Sequence, residues 1–102
     1  DPIIEKAAAV PAKTVVVTGG EPSNYPLDYL TTELHKHGVR TMVETSGVNH
    51  LSGAWDWICL SPKQFSPPLE ENFPRANELK VIIQNPADLR WAERSAKKVS
   101  SE

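Results

Sequence analysis

The chain has 102 residues, 39% of them hydrophobic and 24% charged, with a formal net charge of −2. That is the balance of one small folded domain, not of a disordered chain. Its lone basic doublet, Lys97-Lys98, offers too few phosphate contacts for strong nucleic-acid binding. No apolar run approaches the length of a membrane span. The single cysteine, Cys59, allows no internal disulfide. The sequence opens Asp1-Pro2, without the basic and apolar regions of a signal peptide. The expectation is a cytoplasmic protein with neither a nucleic-acid nor a membrane partner.

Thr14-Val15-Val16-Val17-Thr18 is a β-branched run ending at Gly19-Gly20, the pattern of a strand buried on both faces of a parallel sheet. A helix is predicted next. Pro26 suits its first turn, Leu27, Leu30 and Leu34 recur at helical spacing, and Gly38 stops it. Val39 to Glu44 reads as a second strand and Asp56 to Leu60 as a third. Ser61 to Pro74 is rich in proline and polar residues and reads as a loop. Glu78 to Ile83 is the fourth predicted strand. Asn85 then caps a last helix, with Pro86 in its first position and Asp88 at the positive end of its dipole. Leu89, Ala92 and Ala96 form its expected apolar stripe, and the tail from Lys97 is expected to fray.

The fold class is therefore α/β, with about four mostly parallel strands and flanking helices. Four strands do not close an eight-stranded barrel, so residues 1–102 are expected to form part of one, or a small open sheet, whose edges need cover.

Thr18-Gly19-Gly20-Glu21-Pro22 stands where a parallel strand ends, the edge at which α/β folds bind ligands. Two glycines let backbone approach a ligand closely. Glu21 would repel a phosphate, so carbonyl groups and a carboxylate suit a cation such as an ammonium group. A plain tight turn explains the same residues equally well. Glu44-Thr45-Ser46-Gly47 and Ser61-Pro62-Lys63 close the next two strands on the same edge. The hydroxyls of Thr45 and Ser46 could bond ribose or carboxylate oxygens, Ser61 could hydrogen-bond a ligand, and Lys63 could hold a carboxylate. A Ser/Thr turn and a solvated loop lysine are the plainer readings.

Gly19-Gly20-Glu21-Pro22 resembles the GGEP motif of radical S-adenosylmethionine enzymes. Glu44-Thr45-Ser46-Gly47, Asp56-Trp57-Ile58-Cys59-Leu60-Ser61-Pro62-Lys63 and Glu78-Leu79-Lys80-Val81 resemble, in order, segments of the 7-carboxy-7-deazaguanine synthase branch of that family. The motifs extend from Thr14 to about Ala96 and are specific as a set.

The resemblance implies a partial (β/α) barrel of the radical S-adenosylmethionine type. It implies that Gly19, Gly20, Glu21, Thr45, Ser46, Ser61 and Lys63 bind S-adenosylmethionine, and that Thr18 and Gly20 lie between cofactor and substrate. The cofactors implied are S-adenosylmethionine, a [4Fe–4S] cluster and Mg²⁺. The implied substrate is a small pterin, 6-carboxy-5,6,7,8-tetrahydropterin, contracted to 7-carboxy-7-deazaguanine in queuosine biosynthesis. The full-length parent is expected to be a homodimer.

Two departures matter. The family's CxxxCxxC cluster motif precedes GGEP, and no such stretch is present in Asp1 to Lys13. The chain therefore reads as a C-terminal fragment, inactive alone, holding neither a cluster ligand nor a catalytic residue. Ser23 also stands where an apolar residue is expected.

Glu78 and Lys80 are two apart and share a sheet face, either as an internal charged pair or as a surface one. Cys59 reads as a small buried hydrophobe, and His35 and His37 as solvated residues near a helix end. His50 carries no signal, and Trp55, Trp57 and Trp91 read as packing residues. The competing functions are a fragment of a radical activase and a non-catalytic α/β module that pairs its open edges as a dimer.

Overall fold

The computed structural model describes residues 14–63 and 66–99. The expectations for Asp1 to Lys13 and for the tail beyond Val99 lie outside them. Strands β1 (Thr14–Val17), β2 (Arg40–Thr45), β3 (Trp57–Leu60) and β4 (Glu78–Leu79) form one sheet in that order. Each neighbouring pair is parallel. Helix α1 (Asp28–Lys36) joins β1 to β2, and α2 (Pro86–Lys98) follows β4. The two middle crossovers are loops, the second with a 3-10 turn at Glu70–Asn72.

The register sorts the side chains. Val16 pairs with Met42, Met42 with Trp57, Glu44 with Cys59, and Cys59 with Glu78, so these residues share one face. The other face carries Val15, Val17, Thr41, Val43, Thr45, Ile58, Leu60 and Leu79. Its apolar members make the core. Leu34 of α1 packs with Val39, Val15 and Leu30. Val43, Leu51 and Ile58 pack with Val17 and Trp55. Leu60, Phe73 and Ala76 pack with Leu79 and Val99. Fully burying a side chain such as Leu34 or Leu60 contributes about 1.5–3 kcal/mol. The opposite face is far less covered, with Val16 53% exposed.

Polar contacts close the N-terminal edge of the sheet. Thr41, wholly buried, donates its hydroxyl to Ala54 O at 2.8 Å and its backbone N–H to Asp56 Oδ2 at 2.8 Å. His35 Nε2 lies 3.0 Å from the same Asp56 oxygen and 3.1 Å from Thr41 Oγ1. The backbone bond from Thr41, then His35, outweigh partial burial and hold the Asp56 carboxyl below its usual range. His35 stays exposed, as its position near the helix end suggested, yet it also ties α1 to the sheet. The loop before β3 is pinned to the start of α1. Leu27 N donates to Ser52 Oγ, Gly53 N to Asp28 Oδ1 and Ala54 N to Thr31 Oγ1.

Several sequence expectations need correction. Pro26 precedes the helix, whose N-cap is Leu27 with no side-chain cap bond. Strand β4 stops at Leu79, not at Ile83. Lys80 N still reaches Leu60 O at 2.9 Å, but β3 ends there, and Pro62 has no N–H to extend the ladder. Ile82 and Ile83 are left 63% and 50% exposed. The expected stripe on α2 is also displaced. Leu89 is 49% exposed and Ala96 is exposed, while Ser95 is buried. The inward line runs through Trp91, Ser95 and Val99, four residues apart, because the helix docks by its C-terminal end. There Lys98 Nζ sits 5.2 Å from the Phe73 ring centroid and 3.1 Å from Glu70. Lys97 and Lys98 are helical, not frayed. The Asn85 cap is as expected: its Oδ1 accepts from Asp88 N at 3.0 Å.

Candidate active site

Because the strands are parallel, their C-terminal ends lie along one edge, and the segments that follow β1, β2 and β3 meet there. A cavity of about 310 Å³ opens between them, lined by Thr18, Gly19, Gly20, Glu21, Thr45, Ser46, Ser61 and Lys63 together with Glu44. Every residue that the sequence put forward for the site is therefore in one place. Glu44 is the addition. It opens the Glu44-Thr45-Ser46-Gly47 motif, and its parity with Met42 was the signal that could have found it.

Gly19 and Gly20 take φ values of +82° and +55°, in the left-handed region that L side chains avoid. Nothing in the protein lies within 4 Å of where a Cβ would stand on either. The glycines thus serve the turn and leave its main chain bare toward the cavity.

Glu21 organises the site. It caps the 3-10 turn Pro22–Asn24, with Oε2 accepting from Ser23 N at 2.7 Å. The same oxygen accepts from the Thr45 hydroxyl. Oε1 accepts from Ser46 N at 2.8 Å. Partial burial pushes its carboxyl upward, but the hydrogen bonds from Ser23, Thr45 and Ser46 outweigh that and hold it below the usual carboxylate range. It is therefore a fixed negative charge at neutral pH. Each carboxylate oxygen can accept about two bonds, so Oε1 keeps capacity for one more donor.

The other residues divide into spent and available groups. Thr45 is 2% exposed, and its hydroxyl also accepts from Gly47 N at 3.0 Å. The hydroxyl expected to face ribose or carboxylate oxygens is thus engaged within the protein. Ser46 gives its N–H to Glu21, and its hydroxyl makes no hydrogen bond among the described residues. Ser61 is buried, its N–H donating to Thr45 O at 2.8 Å. Lys63 is exposed and has no ion pair among the described residues. It also lines a second cavity of about 390 Å³, with Val81, Ile82, Asp88 and Trp91.

Glu78 and Lys80 do not pair with each other. Lys80 Nζ lies 3.3 Å from Glu44 Oε1, and Trp57 Nε1 donates to Glu78 Oε1 at 2.8 Å. Between them Cys59 is buried. Burial first, then Glu78 and Glu44, push its thiol up to about 11. It stays protonated at neutral pH and does not suit a metal or cluster, which takes thiolate. Among the described residues no group of three His, Cys, Asp or Glu is placed to hold a metal ion. His50 makes an exposed 3.4 Å contact with Glu71.

No protein-family model matches the chain. A 7-carboxy-7-deazaguanine synthase of Flavobacterium psychrophilum is 47% identical over 98% of this chain and 47% of its own length. One of Synechocystis sp. is 44% identical over 96% of this chain and 47% of its own. The crystal structure of QueE from Escherichia coli superposes with a TM-score of 0.81 at 28% identity, over 99% of this chain and 46% of that one. The chain thus spans about half the length of the relatives it matches. By sequence and by fold, the chain is similar to the 7-carboxy-7-deazaguanine synthases over the half of their length that it spans.

Proposed function

We propose that this chain forms the S-adenosylmethionine pocket of a radical 7-carboxy-7-deazaguanine synthase. The observation that carries the reading is the convergence of Thr18, Gly19, Gly20, Glu21, Thr45, Ser46, Ser61 and Lys63 on one cavity. The residues fit the amino-acid end of that cofactor. Glu21 offers a fixed carboxylate with one acceptor position left for an ammonium group. Lys63 offers an ammonium with no ion pair among the described residues, suited to the carboxylate, and Ser46 and Ser61 offer hydroxyls. The bare turn at Gly19-Gly20 lets main chain approach both ligands, with Thr18 and Gly20 between cofactor and substrate.

When bound, S-adenosylmethionine and a [4Fe–4S] cluster supply the one-electron chemistry. The cluster's ligands are not in this chain, whose one cysteine is a buried, protonated thiol. Mg²⁺ belongs to the same reading, and among the described residues no group of three His, Cys, Asp or Glu is placed to hold it. In the full reaction the substrate is 6-carboxy-5,6,7,8-tetrahydropterin and the product 7-carboxy-7-deazaguanine, a step of queuosine biosynthesis. A cytoplasmic homodimer belongs to the same reading. The names of the relatives favour this synthase over a radical activase.

The test is to express the full reading frame that carries this sequence, reconstitute it with iron and sulfide, and add S-adenosylmethionine, reductant and the pterin. Mass spectrometry should find 7-carboxy-7-deazaguanine. Cleavage of S-adenosylmethionine with the pterin left intact would overturn the assignment.

A further inference from the structure

We infer that Thr45 is a positioning residue that sets Glu21 for an ammonium group, a role resting on the reading of the cavity as an S-adenosylmethionine site. The Thr45 hydroxyl is the middle link of a chain of bonds: Gly47 N–H donates to it at 3.0 Å, and it donates to Glu21 Oε2. The far end of this chain is rigid. A Cβ on Gly47 would stand 2.7 Å from Leu60 Cδ1 and 3.1 Å from Pro68 Cβ, so the residue is wedged against the core. Its carbonyl accepts from Leu69 N and from Asn72 Nδ2, both at 2.8 Å. Glu21, by contrast, follows a glycine turn that touches nothing on its open side. Two backbone N–H groups grip the carboxylate, Ser23 on Oε2 and Ser46 on Oε1, and the Thr45 hydroxyl is the one side-chain donor among its partners.

Thr45 completes the clamp and ties it to the rigid Gly47 end. With Oε2 filled by Thr45 and Ser23, and one place on Oε1 filled by Ser46, the remaining acceptor direction is fixed on Oε1. A single fixed acceptor on a carboxylate selects a charged N–H donor over a neutral one, because the charge-assisted bond is about twice as strong. Thr45 is buried and does not itself reach for the ligand.

The test is equilibrium dialysis on the full-length, cluster-loaded protein with two probes. S-adenosylhomocysteine carries the ammonium group, and 5′-methylthioadenosine lacks it. Thr45→Val should weaken S-adenosylhomocysteine about tenfold or more, the usual effect of losing a bond to a charged group, and leave 5′-methylthioadenosine unchanged. Thr45→Ser, which keeps the hydroxyl, should restore binding to within about twofold of wild type. Equal weakening of both probes, whether through a poorly folded variant or a general distortion, would reduce Thr45 to a structural residue and overturn the inference. So would a Thr45→Ser variant as weak as Thr45→Val. If wild type binds S-adenosylhomocysteine and Thr45→Val binds it equally well, the positioning role fails and the cofactor site stands. If wild type binds neither probe, both fail together.

Discussion

The segment from Thr14 to Lys63 and the segment from Glu78 to Val99 are built on different terms. In the first, side chains answer backbone at almost every turn: Thr41 with Ala54, Asp56 with Thr41, Ser52 with Leu27, Glu21 with Ser46. In the second, a two-residue strand leads through exposed Ile82 and Ile83 to a helix anchored mainly at its far end. The part that lines the Gly19-Gly20 cavity is held by polar contacts between distant residues, and the other part by caps and a few apolar contacts.

The comparison is broken most directly at Gly47. Gly47→Ala puts a methyl into Leu60 and Pro68 at a φ of +70°, and should cost about 2–4 kcal/mol in urea unfolding. A loss under about 1 kcal/mol would mean that the first segment is no more tightly built than the second.

Acid is the next lever. Glu21 and Asp56 both have folded pKa values below their ordinary ones. Such groups add stability that is present above the unfolded pKa and lost as pH falls through the folded one. Urea midpoints should fall as pH drops from about 5 toward 3. Glu21→Gln should flatten part of that slope and cost about 1 kcal/mol at neutral pH, since solvent screens the half-exposed carboxylate. An unchanged slope would remove Glu21 from the list of groups that hold the two loops together.

Asn85→Ala removes the cap of α2 and should cost about 1 kcal/mol. Hydrogen exchange should show the loss at the first turn of α2 and leave β1 to β3 unchanged, which would sharpen the contrast. The smallest effect is expected at Leu89, 49% exposed, where Leu89→Lys should move stability by less than about 0.5 kcal/mol.

Much of this was legible in the residues. Thr14 to Val17 and Trp57 to Leu60 announce themselves as β-branched or apolar runs, and glycine or proline marks where each neighbouring segment turns. The residues that line the cavity were legible because motifs stand at strand ends, and parallel strands bring those ends together. What could not be read was partnership. Ile82 looks as good a strand residue as Val15, but no β3 residue remains to pair with it beyond Leu60. Leu89 and Ala96 have the right spacing on α2, yet the helix docks by its end, so Ser95 is the residue buried. Thr45 looked like a ligand contact because composition does not tell that its hydroxyl is already shared by Glu21 and Gly47.

The knot of His35, Thr41 and Asp56 lies at the opposite edge of the sheet from the cavity. The two edges differ in kind: one is closed by a knot of hydrogen bonds, the other opens on a cavity. Substitutions at exposed Lys63 should therefore change the cavity's charge with little penalty to folding. An engineer, or a lineage drifting toward a new substrate, has a scaffold whose chemistry can be rewritten along one rim while the other keeps the sheet intact.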